Sequence, residues 1–207
     1  MYDEVRIVYG PTGGRFAFLS GVIDALEERL QAKGIRILDR IGVSGGALSA
    51  AIRGSGEPFT SWLKPAAQLR ERVELGQGFK AGVRNFTNLL TKGGMMESDK
   101  VLNNMFRVVA PKPPYDIPCY AITYCSTLKR GVALNIAEDL DPGLCLLASC
   151  AMPVAFSPVR IHSSLLSKRV QRDLGVLGKP QILTFKDGGL AKMFPSILAP
   201  GNQSAPV

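Results

Sequence analysis

The first 54 residues contain two apolar runs of strand length, each leading through a glycine-rich corner into a run with helical spacing. "VRIVYG" (5–10) is a short apolar segment closed by glycine, and the loop "PTGGR" follows it. From 16 to 33, Leu19, Val22, Ile23, Leu26 and Leu30 recur at steps of three and four, and Gly34 ends the pattern. "IRILDRIGV" (35–43) reads as a second strand and "GALSAAIRG" (46–54) as the start of a second helix. Strand–helix–strand–helix order is the grammar of an α/β fold with a parallel sheet. The expectation is an α/β chain: a three-layer α/β/α domain over residues 1–199 with a mostly parallel central sheet, and a disordered tail over 200–207.

The remainder extends this grammar. Residues 57–110 are more helical and more basic, and Ser98 before an apolar periodic run is placed to cap a helix. "CYAITYC" (119–125) and "GVALNI" (131–136) read as neighbouring strands. Asp141-Pro142 opens the short helix "GLCLLASCAM", with proline at a tolerated first-turn position. Residues 160–180 read as a basic loop. "QILTF" (181–185) reads as a last strand, running at once into Lys186-Asp187-Gly188-Gly189.

A chain of 207 residues can bury one core without disulfides or metals. Its formal charge of +8 concerns partners rather than fold. Basic residues gather between Lys64 and Arg107, and again at Arg160, Lys168, Arg169, Arg172 and Lys179. Two readings fit them: a solvated surface, or attraction to an anionic membrane or another polyanion. Nucleic acid is not expected, because aromatics are only 7% and no nucleic-acid motif occurs. Cys119, Cys125, Cys145 and Cys150 form no C-x-x-C, and a single histidine leaves no zinc spacing, so no metal or other cofactor is expected. Buried, reduced thiols imply a cytoplasmic protein. The acidic start "MYDEV" is unlike a signal peptide, and no run of 18 apolar residues occurs, so any membrane contact is expected to be peripheral.

The chemical question is posed by Gly42-Val43-Ser44-Gly45-Gly46, a G-x-S-x-G pentapeptide between the second strand and the second helix. A serine there can sit on a sharp turn with its hydroxyl pushed out above the sheet, the helix N-terminus favouring developing negative charge. It can equally be an ordinary serine in a glycine-rich loop. "YGPTGGR" (9–15) could supply backbone N–H groups to an oxyanion, or be a phosphate loop or plain turn. It fits neither G-x-x-x-x-G-K-[ST] nor G-x-G-x-x-G. The base is open at this level. His162 with an acid such as Asp139 would make a triad; Asp187, at a strand end before two glycines, would make a dyad.

Four segments in order resemble the patatin-like phospholipases, serine acyl hydrolases that work with a Ser-Asp dyad. They are "GPTGGRFAFLSGVIDALEERL", "IGVSGGALSAAI", "LLASCAMPVAFSPV" and "FKDGGLAKMFPSILA", and the resemblance spans about residues 5–199. It implies that Ser44 is the nucleophile and Asp187 the general base. It also implies an oxyanion hole at Thr12, Gly13, Gly14 and Gly45, with Arg15 closing the loop. The activity implied is hydrolysis of phospholipid or other acyl-lipid esters through an acyl-enzyme, with no metal. The loop departs from the family pattern at Pro11, which has no N–H, and at Phe16, which stands where the family has a small residue. The alternative is therefore a weak or inactive relative that binds lipid or a partner.

Overall fold

The structure is a computed structural model. It describes residues 3–11, 16–56, 87–88, 90–96, 110 and 114–191. The expected helix after Ser98, the loop residues 12–15, most of the first basic cluster and the tail lie outside the described residues.

The chain begins with strand β1 (Glu4–Tyr9), helix α1 (Phe16–Ala32), strand β2 (Arg36–Val43) and helix α2 (Gly45–Gly54). Gly34 closes α1 with φ +69°, a conformation that glycine takes without penalty. Further along lie β3 (Gly94–Met96), β4 (Cys119–Cys125), β5 (Arg130–Asn135) and helix α3 (Pro142–Cys150). Asp141 caps α3, its side chain accepting from the Leu144 N–H, with Pro142 at the first turn. Strands β6 (Val154–Phe156), β7 (Val159–His162) and β8 (Ile182–Asp187) complete the set, with helix α4 (Lys168–Asp173) between β7 and β8.

The fold is α/β, and its six-stranded sheet is mixed rather than mostly parallel. β1 pairs with β2 and β2 with β4 in parallel; β5 and β8 both pair with β4 antiparallel, and β7 pairs with β8 antiparallel. β1 and β2, joined through α1, pair in parallel, whereas β7 and β8 pair antiparallel although α4 lies between them. β4 and β5 are joined by the short turn 126–129, which can only reverse the chain. β3 and β6 form a separate parallel pair. The basic stretch 160–180 is not a loop: it contributes most of edge strand β7 and all of α4. Its apolar positions Ile161, Val170, Leu174 and Val176 are buried; Lys168 and Arg172 are exposed, and Arg169 turns in to the buried Asp139.

Side chains at paired positions share a face of the sheet. One face presents Ile7, Tyr9, Ala121, Val132, Leu134, Leu183 and Phe185 and is covered by α1, α2 and α3. The other presents Ile41, Val43, Ile122 and Ala133, also buried. Among the described residues, α1–α3 all pack on the first face, so the second helical layer of the expected α/β/α sandwich is not seen there.

Candidate active site

β2 ends at Val43 and α2 begins at Gly45, so Ser44 alone carries the corner. It does so with φ 54° and ψ −128°. A residue with a Cβ rarely takes such a conformation, which costs about 1–3 kcal/mol. The flanking glycines make the corner sterically feasible. A Cβ on Gly42 would run into the backbone of Gly46 and Ala47. One on Gly46 would run into the carbonyls of Tyr9 and Gly10 at the end of β1. The small residues Ala47, Ala50 and Ala51 then let α2 lie close on the sheet, each fully buried. Ser44 is thus held at a strained strand-to-helix corner and remains partly exposed.

Asp187 arrives at the same point from the opposite direction. One edge of β4 is lined by β5 from Tyr120 to Cys125. Since β5 overlaps the partners of both β2 and β8, those two strands share the other edge. β2 occupies it as far as the pair Val43↔Ile122, and β8 occupies it from Asp187↔Thr123 onward. The two strands run toward each other and end on consecutive residues of β4. Ser44 leaves the end of one, and Asp187 is the end of the other. Asp187 is 7% exposed, and its Oδ1 accepts the Gly189 N–H at 2.8 Å. Gly188 passes so close to the Ile122 carbonyl that no Cβ fits. The two glycines after the aspartate thus have separate tasks, close approach and donation to the carboxylate.

Three further residues reach the pair from the end of α3. Ser149 Oγ accepts the Ser44 N–H at 3.0 Å and donates to the Ile122 carbonyl at 2.6 Å. Cys150, the last residue of α3, lies beside the Ser44 side chain. The Ala151 carbonyl accepts the Asp187 N–H at 2.9 Å. Its surroundings, with the Asp187 charge adding to them, push the Cys150 thiol well above its ordinary pKa. Cys119, Cys125 and Cys145 are buried, whereas Cys150 is partly exposed, contrary to the expectation that all four thiols are interior. Sequence reasoning passed over Ser149 and Cys150 as part of an apolar helix. The signal available was two polar side chains ending an otherwise apolar run.

Gly45 is the first residue of α2, where a backbone N–H has no intrahelical acceptor and can face an anion. Thr12, Gly13, Gly14 and Arg15 lie outside the described residues. His162 does not join Ser44. It is exposed, hydrogen-bonds Ser164, and pairs with Ile182 at the far end of β8 from Asp187. Five strand residues put it about 17 Å away. It also faces the side of the sheet opposite Asp187. Asp139 is committed elsewhere: its carboxylate is bound by Ser167, Arg169 and the Asn135 N–H. The triad alternative is thereby overturned. Among the described residues, no three His, Cys, Asp or Glu side chains are grouped to hold a metal ion. No described helix is long and apolar enough to cross a membrane.

Neither models of known protein families nor curated proteins give a match to this chain.

Proposed function

We propose that the protein is a serine ester hydrolase of the patatin-like kind, with Ser44 as nucleophile and Asp187 as general base. The observation that carries this reading is the strained backbone of Ser44 at the point where β2 and β8 end against each other. A serine presented on a corner that costs free energy, with a buried carboxylate at the next position of the ladder, is the arrangement nucleophilic catalysis requires. The Ser44 hydroxyl gives up its proton to Asp187 as its oxygen attacks an acyl carbon. The Gly45 N–H faces the developing oxyanion, joined by donors from the loop after β1. The alcohol leaves with a proton returned by Asp187. Water, deprotonated by Asp187, then releases the acid from the acyl-enzyme.

The substrate class proposed is an acyl lipid, met at a membrane surface. Arg160, Lys168, Arg172 and Lys179 are exposed, with Leu165 and Leu177 exposed among them. That combination suits peripheral docking on anionic lipid. Binding to phosphatidylserine vesicles should weaken as salt rises, because screening shortens the range of surface charge. Equal binding at low and high salt would remove this part of the reading. Four free cysteines fit a reducing cytoplasm.

The test is covalent labelling by a fluorophosphonate, read by intact mass. Wild type should gain one adduct; Ser44→Ala should gain none, and Asp187→Asn should label at least a hundredfold more slowly. His162→Ala should label as wild type does. A folded wild-type protein that does not label would favour a second reading, a non-catalytic relative that binds acyl lipid. Pro11 favours that reading, since it can donate no N–H to an oxyanion.

A further inference from the structure

We propose that Ser149-Cys150-Ala151, the end of α3 and its exit, is the positioning element of this site, fixing Ser44 and Asp187 relative to each other. The proposal rests on the dyad reading above and adds to it what holds the dyad. The three residues take three different handles. Ser149 holds the backbone of Ser44 through its N–H and ties it to β4 at Ile122, by hydrogen bonds of 3.0 and 2.6 Å. Cys150 lies beside the Ser44 side chain. Ala151 holds the backbone of Asp187 through its carbonyl.

The need for such an element follows from the topology. β2 and β8 are not hydrogen-bonded to each other; each is paired with β4, and each ends at the site. The ladders fix each strand to β4, and the bonds from α3 add a hold on the residues at which the two strands leave it. A strained φ also relaxes unless its surroundings over-determine it. Ser149 provides that determination from a fully buried position, where its hydroxyl is both donor and acceptor and has no water to exchange with. Thr123, between the strand ends, fastens the same unit from below. Its Oγ1 lies 2.9 Å from both the Ala148 and the Lys186 carbonyls.

The test uses the full chain and the variants Ser149→Ala, Ser149→Thr, Ser44→Ala and Asp187→Asn. Fluorophosphonate labelling of Ser149→Ala should fall at least tenfold in its maximal rate with the reagent's half-saturation unchanged, and Ser149→Thr should recover most of it. Labelling of Ser149→Ala at the wild-type rate, in protein that melts cooperatively, would overturn the proposal. A second readout does not depend on hydrolase activity. The Ser44 N–H is held by Ser149 Oγ, so in Ser149→Ala it should exchange with solvent at least tenfold faster than in wild type, read by NMR hydrogen exchange, with exchange along β1 unchanged. Ser44→Ala and Asp187→Asn are the labelling controls. If wild type does not label but Ser44 exchange speeds up in Ser149→Ala, the hydrolase reading falls and the positioning element stands. If Ser44 exchange does not change, the positioning element falls whatever the labelling shows.

Discussion

Two polar clusters sit four residues apart, one on β2 at Arg40 and one at the corner that follows it, and they are built on opposite principles. At Arg40 the charges are closed in on themselves. Its guanidinium donates to both oxygens of Glu27, at 2.9 and 2.7 Å, and to Asp116 at 2.6 Å. Arg53 and the Tyr9 hydroxyl complete Glu27, at 2.9 and 3.0 Å. Arg40 is 1% and Glu27 0% exposed. At Ser44 the backbone is strained and the neighbours reaching it from α3 are uncharged. The first cluster surrounds the buried Glu27 with donors from three side chains and so holds β1, α1, β2 and α2 together. The second spends free energy on a backbone corner instead.

Breaking the closed cluster should have the largest effect on stability. Glu27→Ala leaves the buried Arg40 with Asp116 alone and removes the partner of Arg53 and Tyr9, and should cost about 3–5 kcal/mol, read by urea denaturation. The pH dependence follows the same carboxylate. Burial pushes Glu27 upward, but hydrogen bonds from Arg40, Arg53 and Tyr9 outweigh it and leave its pKa lowered. A lowered folded pKa stabilises the fold above the unfolded value of about 4.3, and that stability is lost as pH falls through the folded value. Acid unfolding of wild type below about pH 4 should therefore be steeper than that of Glu27→Gln. A mutant with the same acid slope would show that Glu27 does not govern it.

The elbow should respond next. Gly46→Ala drives a methyl group into the β1 carbonyls and should cost about 3 kcal/mol, with labelling of Ser44 lost. A well-folded, fully labelled Gly46→Ala would mean that the corner tolerates what its geometry forbids. Ser44→Gly should go the other way, raising stability by about 1 kcal/mol as the strain is relieved, while abolishing labelling. That sign separates the two clusters most cleanly: truncation at Arg40's partner weakens the fold, and truncation at Ser44 strengthens it. An unchanged or lower melting temperature for Ser44→Gly would show that the elbow stores no strain. The smallest effect is expected at His162, exposed and remote, where alanine should change stability by less than about 0.5 kcal/mol.

The helix α1 shows how far periodicity carries. Its apolar spacing predicted a helix, and the structure has one; yet Val22 and Leu26 are exposed while Ser20 and Glu27 are buried. The spacing read the helix correctly and its inner face only in part. The reason is Arg40: a buried cation recruits an acid to the inner face, and Ser20 bonds Ser49 where α1 and α2 approach closely. No local pattern announces a partner thirteen residues away in another element. The stretch 160–180 was misread for a related reason. Its charges looked like a loop, while the sparse apolar positions between them were enough to build an edge strand and a short helix.

Local rules on the chain determined much by themselves: where strands give way to helices, that Gly34 ends α1, that Asp141 and Pro142 start α3, and that Gly42, Ser44 and Gly46 form a corner. These depend on backbone sterics and on bonds a few residues long, so nearby residues suffice to specify them. The tertiary structure alone decided that β2 and β8 end against each other on one edge of β4. It also removed His162 from Ser44 and brought Ser149, Cys150 and Ala151 onto both Ser44 and Asp187. Those outcomes depend on strand direction and sheet order, which arise from how the whole chain buries its apolar surface, and no short stretch of residues carries that information.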